Sequence, residues 1–250
     1  MRNEVQKSEY TEAIILAGGF GTRIKEVLGN DVPKTMAPIC EKPFLNYLLN
    51  FLTHYGVTHV VISTGHLANV ITDYYGSLGR NPTWGGAKLS FSHEATPLGT
   101  GGAIRLAMKQ CRQKNILVLN GDSFFDFNLP NFTIMHRVYK AQQSVALREV
   151  DDASRYGKVT KDDSHKITAF QEKSIQKQEG FINAGIYIFN KEAFLTATNA
   201  DDAFSLEKDY FPKAIDADKI FGFEYDGYFI DIGVPDDYKK AQDDLKDFKY

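Results

Sequence analysis

A glycine-rich turn and a handful of charged side chains are the parts of this sequence with spacing suited to chemistry. "LAGGFGTR" closes an apolar run and sets Gly18, Gly19 and Gly21 ahead of Arg23; Lys34 follows eleven positions later in "VPKTMAPI". Adjacent glycines let backbone N–H groups approach phosphate oxygens with no Cβ in the way. Arg23 offers a planar fork that matches phosphate, and Lys34 a point charge. Pro33 and Pro38 stiffen the segment that carries Lys34, so its ammonium is aimed. A lone Gly-Gly-x-Gly is as readily a strand-ending turn with solvated cations. The extended string favours a phosphate cradle.

Both familiar nucleotide motifs fail. A dinucleotide fingerprint needs a small third residue where Ile24 stands, and its bulk would obstruct close helix–strand packing. The G-x-x-x-x-G-K-[ST] phosphate loop is absent as well. Asp122 ends "NILVLNGD", where open parallel sheets bind ligands, and a carboxylate there suits Mg²⁺, a hard ion that prefers oxygen donors. In isolation, an Asp after a strand is more often a cap or turn residue. Asp231 in "FIDIG" is a second carboxylate. No Ser-His-Asp or Cys-His constellation accompanies them, and the six histidines show no metal-ligand spacing.

These groups need a scaffold, and the patterning supplies one. Ala13–Ala17 reads as a buried strand running into the glycine loop. "PFLNYLLNFLTHYG" and "LANVITDYYG" read as helices closed by Gly56 and Gly76, with "THVVIST" as the strand between them. "AKLSFSHE", "TGGAIRLAMKQC" and "NILVLNGD" continue as strand, helix and strand. Strands alternating with helices imply right-handed crossovers and a parallel sheet. Further on, "SVALREV", "GKVTKD", "KITAFQEK" and "GFINAGIYIFN" are strand-like with few helices between, which points to a mixed or antiparallel portion. "IFGFEYDGYFIDIG" reads as two strands joined around Asp226-Gly227. "VPDDYKKAQDDLKDF" reads as a helix with Tyr238, Ala241, Leu245 and Phe248 on one face.

The expected fold is therefore α/β: a Rossmann-like, mixed but mainly parallel sheet flanked by helices, in a single domain over 11–250. Its N-terminal half would bind nucleotide and its C-terminal half would build the other wall. The polar start, 1–10, reads as a flexible extension without the apolar core of a signal peptide. With 29 basic and 32 acidic side chains, no global field favours nucleic acid or a membrane surface. No run reaches the roughly 18 apolar residues of a membrane span. Cys40 and Cys111 form no CxxC pair and suit a reducing, cytoplasmic setting.

"LAGGFGTR…PKTMAPI…KPFL", followed in order by "PLGTGGAI", "LNGDSF", "FQEK", "NAGIYIF", "SLEKD" and "DIGVPDDY", resembles the signature of the sugar-1-phosphate nucleotidylyltransferases. The wording is most similar to the heptose 1-phosphate guanylyltransferase branch of that family. One departure is Thr35, where that family often has proline. The resemblance implies transfer of a nucleoside monophosphate from a triphosphate to a sugar 1-phosphate, with release of pyrophosphate, for surface polysaccharide precursors. The nucleophile is a phosphate oxygen ionised at neutral pH, so no general base is required; two polyanions must be aligned and their charge neutralised.

The same resemblance implies residue roles. Arg23, Lys34, Asp122, Lys173 and Asp231 would be catalytic, with Asp122 and Asp231 sharing Mg²⁺. Leu16, Ala17, Gly18, Gly19, Gly21, Thr22 and Arg23 would bind nucleotide. Gly99, Thr100 and Gly102 would let the base lie against backbone. Glu94 would accept from guanine, or is simply a strand-end glutamate. Gly121, Tyr156, Gly157, Glu172, Lys173, Asn183, Ala184, Gly185 and Glu207 would face the sugar phosphate, with Glu207 equally suited to cap a helix. The partners implied are the two substrates; the choice of base and sugar stays open, as does a homo-oligomer.

Overall fold

The structure is a computed structural model and describes residues 6–171, 177–199, 202–217 and 220–250. The first half contains β1 (Glu12–Leu16), α1 (Lys25–Leu28), β2 (Pro38–Ile39), β3 (Lys42–Pro43), α2 (Phe44–His54), β4 (His59–Thr64) and α3 (Ala68–Gly76). It continues through β5 (Thr83–Trp84), β6 (Ala87–His93), α4 (Gly99–Ala107), β7 (Asn115–Asn120) and β8 (Ser123–Phe125). The second half comprises α5 (Leu129–Val138), β9 (Gln143–Val150), β10 (Lys158–Lys161), β11 (Ile167–Phe170) and β12 (Gly180–Asn190). The chain ends with α6 (Lys191–Thr196), α7 (Phe211–Asp216), β13 (Ile220–Glu224), β14 (Phe229–Asp231) and α8 (Pro235–Asp244).

Ten strands share one sheet in the order β11-β10-β12-β7-β1-β4-β6-β5, with β9 on β12 and β13 on β9. The ladders joining β7, β1, β4 and β6 are parallel, whereas β12 is antiparallel to β7, β9 and β10. This is the mixed, mainly parallel α/β sheet that the alternation of patterns implies. Side chains on successive strand positions go to opposite faces. Ala13, Ile15, Leu117 and Leu119 therefore pack with α2, α3, α5 and α8, while Ile14, Ile116 and Val118 pack with α4, α6 and α7. Burying each of these leucine, isoleucine and valine side chains contributes about 1.5–3 kcal/mol, which pins the strand ends that carry the site.

The entrance of β1 is fixed by a buried carboxylate. Glu12 Oε2 accepts the Arg112 and Gln113 N–H groups at 2.6 and 2.5 Å, and Oε1 faces His59 Nδ1 at 3.1 Å. Burial pushes this carboxyl up, but the Gln113 N–H, His59 and the Arg112 N–H outweigh it and hold it below its ordinary value.

Three local readings change. The expected flexible extension does not run to residue 10: Ser8 and Tyr10 are buried, and Ser8 N donates to Tyr55 O at 2.7 Å. Lys7 Nζ also reaches His54 O, at 2.7 Å, so the folded body starts ahead of residue 11. The strands flanking Asp226-Gly227 are not a hairpin. β13 runs parallel to β9, while β14 pairs antiparallel with β8, bringing Asp231 opposite Ser123. The local turn residues carried no information about those distant partners. Finally, α5 has no counterpart in the sequence reading; Asn128 caps it by accepting Asn131 N–H at 2.9 Å. In the C-terminal segment, Ala241 and Leu245 are buried, with Tyr238 and Phe248 packed on the same core, as their spacing implies.

Candidate active site

The carboxyl ends of β1, β4 and β7 lie side by side, and the loops that leave them converge. Gly121 N donates to Leu16 O at 3.0 Å, which sets the end of β7 against the start of the glycine loop. A Cβ on Gly121 would stand only 2.3 Å from Leu16 O, so this close approach requires glycine. The loop then turns through Gly21, at φ +59°, into the tight turn Thr22–Ile24. Ile24 is buried there, and no long helix starts at the position that a dinucleotide fingerprint would use.

Lys34 sits in a second short turn, Lys34–Met36, entered from Pro33 at φ −64°. Its Nζ lies 2.7 Å from Asp122 Oδ2 and 3.5 Å from Asp231 Oδ1. Asp231 Oδ1 also accepts the Gly233 N–H at 2.7 Å. Gly233 is wedged beside the same groups; a Cβ there would stand 2.6 Å from Lys34 Nζ and 3.3 Å from Arg23 Nη2. Arg23, Lys34, Asp122 and Asp231 are thus brought together. Burial and the neighbouring Asp122 carboxylate push the Asp231 carboxyl above its ordinary range, opposed by Lys34, the Gly233 N–H and Arg23.

Two adjoining cavities open at this edge. One, of about 260 Å³, is lined by Ala17, Thr22, Arg23, Lys34, Gly121 and Asp122 among others. The other, of about 430 Å³, is walled by Gly18, Phe20, His66, Glu94, Pro97 and Gly99 among others. Leu16, Gly19 and Thr100 border both, so the two form one trough. Its charged end suits phosphates and its apolar end a nucleobase. Glu94 stands in that apolar wall, where Oε2 accepts the Leu98 N–H at 3.0 Å. Burial pushes its carboxyl up, against the Leu98 N–H and His93.

On the other side of Asp122, β12 is bulged. Its register with β9 shifts between Asn183 and Tyr187, around Gly185 at φ +76°. Asn183 Oδ1 accepts the Gly185 N–H at 2.9 Å and Nδ2 donates to Tyr187 Oη at 2.8 Å, so this amide shapes the bulge. Ala184 is buried in it. The bulge faces Asn120 and Ser123, since a Cβ on Gly185 would meet their side chains at 2.9 and 2.6 Å. Tyr156 packs edge-on against Phe229, with Gly157 turning beside it at φ +87°. Burial, reinforced by the Asp237 carboxylate, pushes the Tyr156 phenol up to about 12. Glu207 is exposed, 3.0 Å from Ser205 Oγ, and the hydroxyl that caps this turn is that of Ser205, which accepts the Lys208 N–H. Glu172 and Lys173 lie outside the described residues.

One expectation is corrected by these contacts. Gly102 does not offer its bare backbone to the trough: a Cβ on it would stand 2.8 Å from Leu98 Cβ and 3.1 Å from Asp202 O. The freedom at this position serves packing of the chain against itself. Phe20, His66, Asn120 and Gly233 border the trough without having been singled out. His66 and Asn120 follow or end parallel strands, the position at which such sheets bind ligands, and that signal was available for both. Phe20 lies 5.2 Å from the His66 ring, ring centre to ring centre, and is exposed at the rim.

The donor set fits Mg²⁺. Two carboxylates touch the same ammonium, and one of them is held above its ordinary range by burial and by its neighbour. Among the described residues no group of three or more His, Cys, Asp or Glu is arranged to hold a metal ion. Two protein carboxylates completed by phosphate oxygens and water are a typical Mg²⁺ arrangement, whereas Zn²⁺ sites draw more ligands from the protein.

The sequence profile of the Nucleotidyl transferase family matches residues 12–247. A D-glycero-alpha-D-manno-heptose 1-phosphate guanylyltransferase of Aneurinibacillus thermoaerophilus is 40% identical, over 95% of this chain and 99% of its own. The enzyme of the same name from Campylobacter jejuni subsp. jejuni is 37% identical, over 91% of this chain and 96% of its own. Among solved structures, HddC from Yersinia pseudotuberculosis complexed with GMP-PN superposes with a TM-score of 0.80 at 35% identity, covering 95% of this chain and all of the other. The trough, its cations and its paired carboxylates thus occur in a chain that belongs to the nucleotidyl transferase family.

Proposed function

We propose that this protein transfers a guanylyl group from GTP to D-glycero-α-D-manno-heptose 1-phosphate, releasing pyrophosphate, with Mg²⁺ held by Asp122 and Asp231. The observation that carries the reading is the meeting of Arg23, Lys34, Asp122 and Asp231 at the charged end of a nucleotide-sized trough. The names of the relatives support the choice of base and sugar.

The chemistry asks for little beyond alignment and charge neutralisation. The glycine loop lays backbone N–H groups along the triphosphate, and Arg23 grips the phosphates that leave. Lys34 supplies positive charge where the attacking and departing oxygens share the α-phosphorus. Mg²⁺, when bound, adds charge neutralisation and orients phosphate oxygens. Glu94, facing the nucleobase end, accepts from the guanine N1–H and 2-amino groups. Asn183, Ala184 and Gly185 form the sugar-side wall, with Tyr156, Gly157 and Glu207 at its margin; the roles assigned to Glu172 and Lys173, from the family motif alone, are binding of sugar hydroxyls and of the sugar phosphate.

A matrix of nucleoside triphosphates against sugar 1-phosphates, read as pyrophosphate release, tests this. The expected best pair is GTP with the heptose 1-phosphate. Faster turnover of UTP, dTTP or CTP, or of mannose 1-phosphate, would replace the specificity while keeping the reaction type.

A further inference from the structure

The first turn of α4 is clasped by a segment far away in sequence. Phe204 N donates to Leu98 O and Gly101 N donates to Phe204 O, both at 2.9 Å. A Cβ on Gly99, which holds φ at +70°, would stand 2.5 Å from Phe204 O, and one on Gly101 would stand 2.0 Å from the Phe204 ring. These glycines are therefore a socket for Phe204. The clasp continues as Leu206 N donates to Thr100 Oγ1 at 2.8 Å, and Thr100 Oγ1 lies 3.4 Å from Glu207 Oε2.

The clasped residues belong to the trough. Gly99 and Thr100 line the nucleobase cavity, and Thr100 also borders the phosphate cavity. Leu98, which accepts from Phe204 N, donates its own N–H to Glu94 Oε2 at 3.0 Å. A chain of direct contacts runs from Phe204 through Leu98 to the carboxylate that faces the nucleobase.

We propose that Phe204 is a positioning residue for the nucleotide: seated in the Gly99–Gly101 socket, it fixes Leu98–Thr100 and, through the Leu98 N–H, the Glu94 carboxylate. This rests on the reading of the trough as a nucleotide site. Phe204 is not itself part of the trough lining and acts only through these neighbours.

A double-mutant cycle on the full chain decides the matter. Gly101→Ala, Phe204→Ala and the double variant are compared with wild type for nucleotide KM, sugar-phosphate KM and Tm, using whichever substrate pair wild type turns over. Overpacking the socket makes Gly101→Ala raise the nucleotide KM by about tenfold, with the sugar-phosphate KM within about twofold. Without the ring, the added methyl has space, so the double variant is no worse than Phe204→Ala alone. Phe204→Leu, which keeps part of the fill, restores most of the nucleotide KM lost in Phe204→Ala. Effects that multiply in the double variant overturn the proposal, because the glycine would then face the ligand independently. A lowered Tm in Phe204→Ala with unchanged nucleotide KM overturns it too. If Gly101→Ala does not fold, the graded nucleotide KM of Phe204→Leu and Phe204→Ala supports the proposal, and its absence contradicts it. An error in the assigned base or sugar changes only the wild-type pair and leaves these ratios readable.

Discussion

Lys34 Nζ lies 2.7 Å from Asp122 Oδ2 and 3.5 Å from Asp231 Oδ1, so one ammonium joins two carboxylates far apart in sequence that meet at one end of the β8–β14 pair, where Asp231 lies opposite Ser123 and Ile232 N donates to Asp122 O at 2.9 Å. Asp122 follows β7 in the parallel part of the sheet, while Asp231 ends β14 in a separate antiparallel pair. The arrangement sets two like charges close together and counters them with cations, which is what a site for phosphoryl chemistry needs.

Lys34→Met removes a cation aimed at the reacting phosphates and leaves Asp122 and Asp231 facing each other. The expected loss in kcat is about 10²–10³, with the melting temperature little changed when Mg²⁺ is present. Lys34→Arg recovers only a small part, because a planar fork does not replace a point charge between two carboxylates. Steady-state pyrophosphate release on the three proteins checks this.

Asp231→Asn separates function from stability. Its carboxyl is held above the ordinary range in the fold, so the folded state binds a proton more readily than the unfolded chain. The ionised form therefore opposes folding at neutral pH, and stability rises as pH falls through the folded value. The asparagine variant should melt at the same temperature as wild type or higher in chelator, and should lack activity. Added Mg²⁺ should raise the melting temperature of wild type and leave the variant unmoved, since a ligand stabilises only the fold that binds it. Thermal melts with EDTA and with Mg²⁺ are the measurement.

His136 gives a pH signature away from the site. Burial pushes its imidazole from 6.5 down to about 4, and its Nδ1 pairs with Ser144 Oγ at 2.8 Å. The unfolded chain binds the proton first, so the contribution of neutral His136 is complete above pH 6.5 and is lost as pH falls toward 4. The size is about 3 kcal/mol across that window. Denaturant unfolding of wild type against His136→Phe should show a shallower acid decline in the variant.

Glu94→Gln exchanges an acceptor-only carboxylate for an amide that presents a donor to guanine. The expected effect is a drop of about 10–10² in kcat/KM for GTP, with smaller changes for other triphosphates. Competition between GTP and UTP in one reaction, followed by product ratio, measures the discrimination directly.

Much of this was readable in the residues, and the exceptions have physical causes. Apolar runs ending in Gly or Asp marked β1 and β7, because parallel strands buried on both faces must be apolar and must end in loops. The Lys34 turn was readable through its prolines. Pairing partners were not: nothing near Asp226-Gly227 tells that β13 seeks β9 while β14 seeks β8. Gly99 and Gly102 suggested a ligand against bare backbone, yet a Cβ on Gly99 would stand 2.5 Å from Phe204 O and one on Gly102 2.8 Å from Leu98 Cβ. A glycine reports that something comes close, without reporting whether it is substrate or chain. Ser8 and Tyr10 were hidden in a polar opening whose composition says nothing of the Tyr55 carbonyl that holds it.

The most direct test of the central claim follows the α-phosphorus. GTP labelled at the α-phosphate is incubated with the heptose 1-phosphate, Mg²⁺ and either wild type or Asp122→Asn, and the products are separated. Guanylyl transfer at this site places the label in a sugar-linked guanosine diphosphate with wild type, and leaves it in GTP with the variant. Label recovered in free GMP with wild type, or an equal yield of labelled sugar nucleotide from Asp122→Asn, would contradict the account.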